Sequence, residues 1–267
     1  MGVVSTAGSR RSAAGCDDLL VPDIPQRSYA GQTADARRKH RRSRLIEAAV
    51  AAMAENGWRA ITVDKLCAGA GLNKRYFYEN FTDLDDVATA AVDDIATQVR
   101  DATLAAVAFV LTESLETQAH AAVNAVVRTL TADPRRARVL LGSVASSPAV
   151  QQHRDSVLAG LTAVLVGHAR TVHSVELESD PLARVAPAFI IGGTADAILA
   201  FVDGSTDVSI EDLIDSLATL WLITGNGAAE FARARVDQTE ACQARAATSS
   251  GTNVSVSSRT SSTPSPG

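Results

Sequence analysis

Aromatic residues are scarce in this chain, 4% of 267 positions, and cysteine is scarcer, with only Cys16, Cys67 and Cys242. Three cysteines, odd in number, far apart and without C-x-x-C spacing, argue against a disulfide framework and a thiolate zinc site. The opening MGVVSTAGSRRSAAG has no apolar secretory core. Met1-Gly2 with Thr6 matches a myristoylation pattern, but one short enough to arise often by chance. No apolar run reaches the ~18–20 residues that cross a bilayer, so a cytoplasmic chain with no membrane partner is expected. No G-x-G-x-x-G, P-loop, G-x-S-x-G or H-E-x-x-H pattern occurs. His120, His153, His168 and His173 stand five or more residues apart and share no helical face with an acidic pair, so no metal site is expected. An all-α enzyme would need a convergent set of titratable groups in its core, and none is visible; neither catalytic residues nor a cofactor is expected.

Alanine and leucine, by contrast, are abundant and β-branched alternation is not, which favours helix over sheet. With 46% hydrophobic and 21% charged residues the composition is globular, and the length suffices for a substantial core. The formal charge of −5 conceals an asymmetry: between Asp35 and Phe81 ten Lys/Arg face five Asp/Glu, so that segment is +5 and the remainder −10. Affinity for a polyanion is thereby assigned to the N-terminal third.

Residues 1–34 lack periodicity and read as a disordered arm. From 236 to 267 Ser, Thr, Gly and Pro accumulate, which reads as a disordered tail. Between them the pattern is helical. A first helix is expected from Ala36 to Asn56, with Leu45, Ala48, Ala49, Ala52 and Met53 on one stripe and Gly57 as its stop. Thr62 can cap a short helix that turns Val63, Leu66, Cys67 and Ala70 inward, and Gly71 breaks it. Asn73 can cap a third helix from Lys74 to Asn80, and Thr82 with Asp85 reads as a capping box opening a fourth. Asp133-Pro134, Ser147-Pro148 and Asp180-Pro181 each pair a cap with proline at the first helical position, and Ser209 with Asp212 offers another box. Helices are therefore expected near 85–110, 114–132, 134–145, 148–173, 181–202 and 209–233. The fold class is all-α: a three-helix domain over 35–88, then a helical domain over 89–235.

Two short helices joined by a glycine turn, behind an arginine-rich helix, are the layout of a helix-turn-helix, here over 62–81, whose second helix enters the major groove. Phe77 and Phe81 at i, i+4 lock that helix to the core, leaving Lys74, Arg75, Tyr76, Tyr78 and Glu79 mostly on other faces. Arg or Lys can bond guanine O6 and N7, while tyrosine hydroxyls hold phosphates. Helix N-termini favour phosphate, so the caps Thr62 and Asn73 are also candidates. Arg37, Arg38, Arg41, Arg42 and Arg44, with Lys39 among them, add sequence-independent attraction. An architectural DNA binder would carry the same charges with a specificity ratio near one.

These residues resemble a known family. The stretch from Arg44 to Val87, carrying Gly57, Thr62-Val63, Leu66, Ala70-Gly71-Leu72-Asn73, Tyr78 and Phe81, is similar to the DNA-binding domain of the TetR family of bacterial transcriptional regulators. The family pattern there is a Thr, an Ile/Leu-Ala pair, Ala-Gly-Val-Ser, then Leu-Tyr-x-x-Phe. The resemblance implies phosphate contacts from Thr62 and Tyr78, groove-facing Lys74, Arg75 and Tyr76, and core roles for Phe77 and Phe81. It further implies a homodimer on a palindromic operator, joined through helices near 181–202 and 209–233, and a small-molecule effector in the C-terminal domain. Val185, Phe189, Gly192-Gly193 and Ile198 of the first helix and Leu213, Leu217, Leu220 and Trp221 of the second are compatible with that pairing. The scarcity of charge within 114–132, 148–173 and 181–202 points to an apolar effector. The expected function is repression relieved by that effector, with an activator or a ligand-independent regulator of the same fold as the alternative. Leu84 stands where the family carries a phosphate-contacting Lys, and Cys67 where Ala is usual.

Overall fold

A computed structural model describes residues 33–55, 58–142, 147–173 and 181–251. Gly57 and Asp180 lie outside these residues, as do 1–32 of the expected arm and 252–267 of the expected tail. Among the described residues all regular elements are helical, nine α-helices and one 3₁₀ turn.

Three helices make the N-terminal unit: α1 (Ala34–Ala54), α2 (Val63–Ala70) and α3 (Lys74–Tyr78). Helix α1 begins two residues before the expected Ala36, because Thr33 caps it by accepting the Ala36 N–H at 3.2 Å. Thr62 and Asn73 cap α2 and α3 as their side chains suggest, accepting from the Lys65 and Tyr76 N–H groups at 3.3 and 3.2 Å. Between them Gly71 adopts φ 60°, a left-handed conformation costly to residues with a Cβ. Its N–H reaches the Ala68 carbonyl and that of Leu72 the Cys67 carbonyl, which closes α2.

Helix α4 (Leu84–Phe109) is capped by Asp83 and not by Thr82. The Asp83 carboxylate accepts the Asp86 N–H at 2.8 Å, while Thr82 donates its N–H and hydroxyl to Asp86. A carboxylate is the stronger partner at the positive end of a helix, which moves the capping pair one residue along.

The remaining helices are α5 (Leu115–Thr131), α6 (Pro134–Leu141), α7 (Pro148–His173), α8 (Pro181–Val202) and α9 (Ile210–Gly251). Asp133, Ser147 and Ser209 cap α6, α7 and α9 as expected. Helix α9 runs on past residue 236, where the tail was expected to start. The stretch from 234 to 247 is rich in Ala, Arg, Gln and Glu, all good helix formers.

A continuous apolar core joins both halves. It passes from Leu45, Ala49 and Met53 through Leu66, Phe77, Phe81 and Val87 to Ile95, Val123, Leu130, Leu140, Ile198 and Leu217. Helix α4 is the shared beam, packing on α1 at one end and on α5 and α7 along its length. Helix α6 also bridges the halves. Arg135 donates to Glu47 of α1 at 2.8 Å and Arg136 lies 3.5 Å from the same carboxylate. Asp133 holds Arg135 from behind at 2.7 Å, and that guanidinium keeps the Asp133 carboxyl below its usual range.

Helix α8 corrects one expectation. Arg184–Val202 is long and apolar enough to cross a bilayer by length and composition, with mean hydropathy 1.9 over 19 residues, of which 17% is buried. Interspersed polar residues, Thr194 and Asp196, hide it from a search for unbroken runs. Val185, Phe189, Gly192 and Gly193 are exposed on one face of α8. Leu220, Ile223 and Phe231 are exposed on one face of the adjoining α9. Ile198, Leu213 and Leu217, grouped with those residues in the sequence, instead face inward.

Candidate functional site

The short α3 is held from below by its aromatic residues and from behind by α1. Phe77 is fully buried, edge-on to Tyr78 at 5.2 Å and tilted against Phe81 at 5.9 Å. Arg38, Arg41 and Arg42 fall at i, i+3 and i+4, so one face of α1 presents all three to α3. Arg38 donates to the Glu79 carbonyl at 2.9 Å and Arg42 to the Asn80 carbonyl at 3.0 Å, satisfying backbone groups at the C-terminal end of α3. The Arg42 guanidinium also lies 4.3 Å over the Phe81 ring, and that of Arg41 4.5 Å over the Tyr76 ring.

The basic run is thus divided by helical periodicity. Arg38, Arg41 and Arg42 brace α3, Arg41 and Arg42 half-buried and Arg38 exposed, while Arg37, Lys39 and Arg44 are exposed on α1. Arg44 extends across the turn at Gly71, where an added Cβ would stand 2.6 Å from its guanidinium.

The outward surface of α3 carries Lys74, Arg75 and the 61%-exposed Tyr78, with Tyr76 half-buried beneath Arg41. Both leading cations have acidic partners. Lys74 bonds Asp64 of α2 at 2.9 Å, a contact that holds its ammonium above the ordinary lysine range. Arg75 Nε donates to Glu79 Oε1 at 3.0 Å. Asp64 was not singled out from the sequence, whereas Glu79 was placed on the same outward faces as Arg75, and the two stand at i, i+4, the spacing at which helical ion pairs form. Leu84, in place of the family's lysine, is half-buried against the core. Cys67 is buried, and burial followed by the Asp64 charge pushes its thiol up, away from the reactive thiolate.

Behind the reading domain lies a cavity of about 180 Å³ between α4, α5, α6, α7, α8 and α9. Leu104, Val126, Leu130, Leu140, Leu141, Leu158, Ile191, Ile198 and Trp221 are among its lining residues. Its few polar groups are Arg100, Thr103 and Thr194. The Thr103 hydroxyl donates to the Val99 carbonyl and that of Thr194 to the Ile190 carbonyl, both at 2.7 Å, while Trp221 Nε1 donates to Thr194 at 2.7 Å.

His120 and His153 lie outside this lining, each against one carboxylate, Asp215 at 2.9 Å and Asp93 at 2.7 Å. The side chains of His168 and His173 lie outside the described residues. Among the described residues no three His, Cys, Asp or Glu side chains gather as metal ligands would.

Residues 45–91 match the family model "Bacterial regulatory proteins, tetR family". No curated protein matches the chain. Among solved structures, the fatty acid degradation regulator FadR from Bacillus halodurans is similar with 21% identity and a TM-score of 0.56, covering 68% of this chain and 94% of its own. The transcriptional regulator FadR from Bacillus subtilis, solved in complex with stearoyl-CoA, shows 20% identity and a TM-score of 0.55 over 67% and 96% of the two chains. A transcriptional regulator from Pseudomonas aeruginosa PAO1 shows 21% identity and a TM-score of 0.59 over 72% and 93%. Residues 45–91 thus form a DNA-binding domain of the kind found in bacterial regulatory proteins of the tetR family, and the fold of the described chain is shared with these regulators beyond that domain.

Proposed function

We propose that the chain is a cytoplasmic repressor without enzymatic activity, which binds a palindromic operator as a homodimer and leaves it when a small apolar effector binds. Helix α6 carries this reading. Its Leu140 and Leu141 line the cavity, while its Arg135 and Arg136 hold Glu47 in the reading domain. A ligand that favours a shifted α6 therefore favours a shifted reading head, and the population moves away from the DNA-bound form.

In this reading Lys74, Arg75 and Tyr76 meet base edges. Tyr78, Thr62, Asn73, Arg37 and Arg44 meet phosphates, while the free donors of Arg38, Arg41 and Arg42 add to that backbone attraction. The exposed faces of α8 and α9 join two protomers, setting the two reading helices about one DNA turn apart. Stearoyl-CoA, bound by the B. subtilis neighbour, is the first ligand to try, since an acyl chain suits the lining. A cavity of 180 Å³ is close to the ~150 Å³ apolar cavity known to admit benzene, so shorter chains should bind better.

The test is binding to DNA from the neighbouring promoter with and without acyl-CoAs of graded length, alongside Arg75→Ala and Tyr78→Phe. A wild-type protein that prefers no sequence over random DNA, with both variants indistinguishable from it, sinks the DNA-reading role. Unaltered operator affinity across apolar ligands sinks the effector half.

A further inference from the structure

We propose that Glu79 is a positioning residue for sequence readout, fixing the Arg75 guanidinium so that its terminal nitrogens present themselves to one guanine. The inference rests on Arg75 as a base-contacting residue and adds a residue that touches no DNA itself. Arg75 is 83% exposed, so nothing in the core orders its long side chain. Among the described residues its side chain meets Glu79, with Nε donating to Oε1 at 3.0 Å.

Glu79 is itself anchored. Its Oε2 lies 3.9 Å from Arg41 Nη2, and its carbonyl accepts from Arg38 at 2.9 Å. Arg41 in turn stacks on Tyr76. A chain of contacts therefore runs from α1, through Arg41 and Glu79, to an otherwise unsupported arginine. Because Glu79 engages Nε, the two terminal nitrogens stay available, and their spacing suits guanine O6 and N7.

A carboxylate at this place is costly on other grounds. It sits at the C-cap of α3, the negative end of the helix, and on a surface meant for phosphates. Its charge also discourages Arg75 from swinging to a phosphate, a contact that would raise affinity for every sequence alike.

The experiment is binding-site selection on the full chain, followed by affinities for the selected operator, for single-base variants of it and for random duplex. The base whose identity ceases to matter in Arg75→Ala is the arginine's base. In Glu79→Ala, discrimination at that base should fall about tenfold, the scale set by freeing a long side chain. Discrimination elsewhere should persist and random-duplex affinity should rise. Glu79→Gln keeps an acceptor for Nε without the charge, so it should recover part of the lost discrimination. Melting temperatures of both variants are measured alongside to exclude unfolding.

Unchanged discrimination in Glu79→Ala overturns the proposal, as does a loss spread evenly over all bases. Identical behaviour of the Ala and Gln variants also overturns it, since that marks a purely electrostatic effect. A wild-type protein with no preferred sequence refutes the DNA-reading role itself, and is distinguished by failing before any variant is compared.

Discussion

Phe189→Asp should convert a dimer into a monomer without unfolding the protomer. The ring is 69% exposed in the single chain, on the α8 face that also shows Val185, Gly192 and Gly193. If a phenylalanine buries roughly 150–250 Å² in full, about 100–170 Å² of this one awaits a partner at that exposure. At ~25 cal/mol per Å² its burial contributes about 2.5–4 kcal/mol per protomer. In a twofold interface the side chain counts twice, about 5–8 kcal/mol, before the cost of desolvating the new carboxylates. Each 1.4 kcal/mol is about a factor of ten in the dissociation constant, so it should rise by more than a thousandfold. Sedimentation equilibrium from nanomolar to micromolar concentration reads this directly, with circular dichroism confirming that the helices persist. Phe109→Asp is the control, because Phe109 is 90% exposed but at the end of α4, outside α8 and α9. A wild type that is monomeric throughout, or two variants that dissociate equally, would refute the assignment of the α8–α9 face.

Three further outcomes are expected. Gly71→Ala should lower stability by roughly 1–2 kcal/mol in urea titrations, because φ 60° is strained for alanine, and Gly71→Asn should recover part of that loss. Leu84→Lys should steepen the salt dependence of operator binding by about one phosphate contact, a slope change near 0.9, at a small packing cost. Asp133→Asn keeps a good helix cap but removes the charge that Arg135 stabilises. Since the Asp133 carboxyl is held below its unfolded value, its stabilisation is present above about pH 4 and lost as pH falls through the folded value. Wild type should therefore exceed Asp133→Asn in stability near neutrality and converge with it in acid; a constant gap across pH would refute the charge argument.

The reading domain was legible because its signals are local. Thr62, Gly71 and Asn73 set helix ends within a few residues, and Phe77 with Phe81 marks a buried face by spacing alone. The caps Asp133, Ser147 and Ser209 were legible for the same reason. What escaped notice depends on distance in sequence. That Arg38 and Arg42 brace α3, and Arg37 and Arg44 do not, follows only once α1 is laid against a helix some forty residues away. The apolar length of α8 was obscured because Thr194 and Asp196 interrupt the run, although Thr194 is buried as the acceptor for Trp221. Residues 236–251 continue α9 because their helix formers outweigh the Ser/Thr-rich composition that follows them, a balance that composition averaged over 236–267 conceals.

The cavity and the ion pairs of α6 can be weighed against each other. An enclosed apolar void destabilises its surroundings by ~24 cal/mol per Å³, so filling 180 Å³ of this partly open pocket is worth at most about 4 kcal/mol. The link it would have to disturb is weaker. Arg135 and Glu47 are 40% and 46% exposed, and pairs of that kind contribute about 0–1 kcal/mol each. A well-fitted ligand therefore has energy enough to shift α6 at the expense of Arg135–Glu47 and Arg136–Glu47 and still bind. The coupling cannot exceed what those two contacts contribute, which limits the effect on operator affinity to about 0–2 kcal/mol, the lower part of the range usual for linked sites. Two substitutions separate transmission of the signal from binding of the ligand. Glu47→Gln should weaken the response to ligand while leaving the cavity intact, whereas a bulky residue at Ile198 should abolish ligand binding while leaving the link intact.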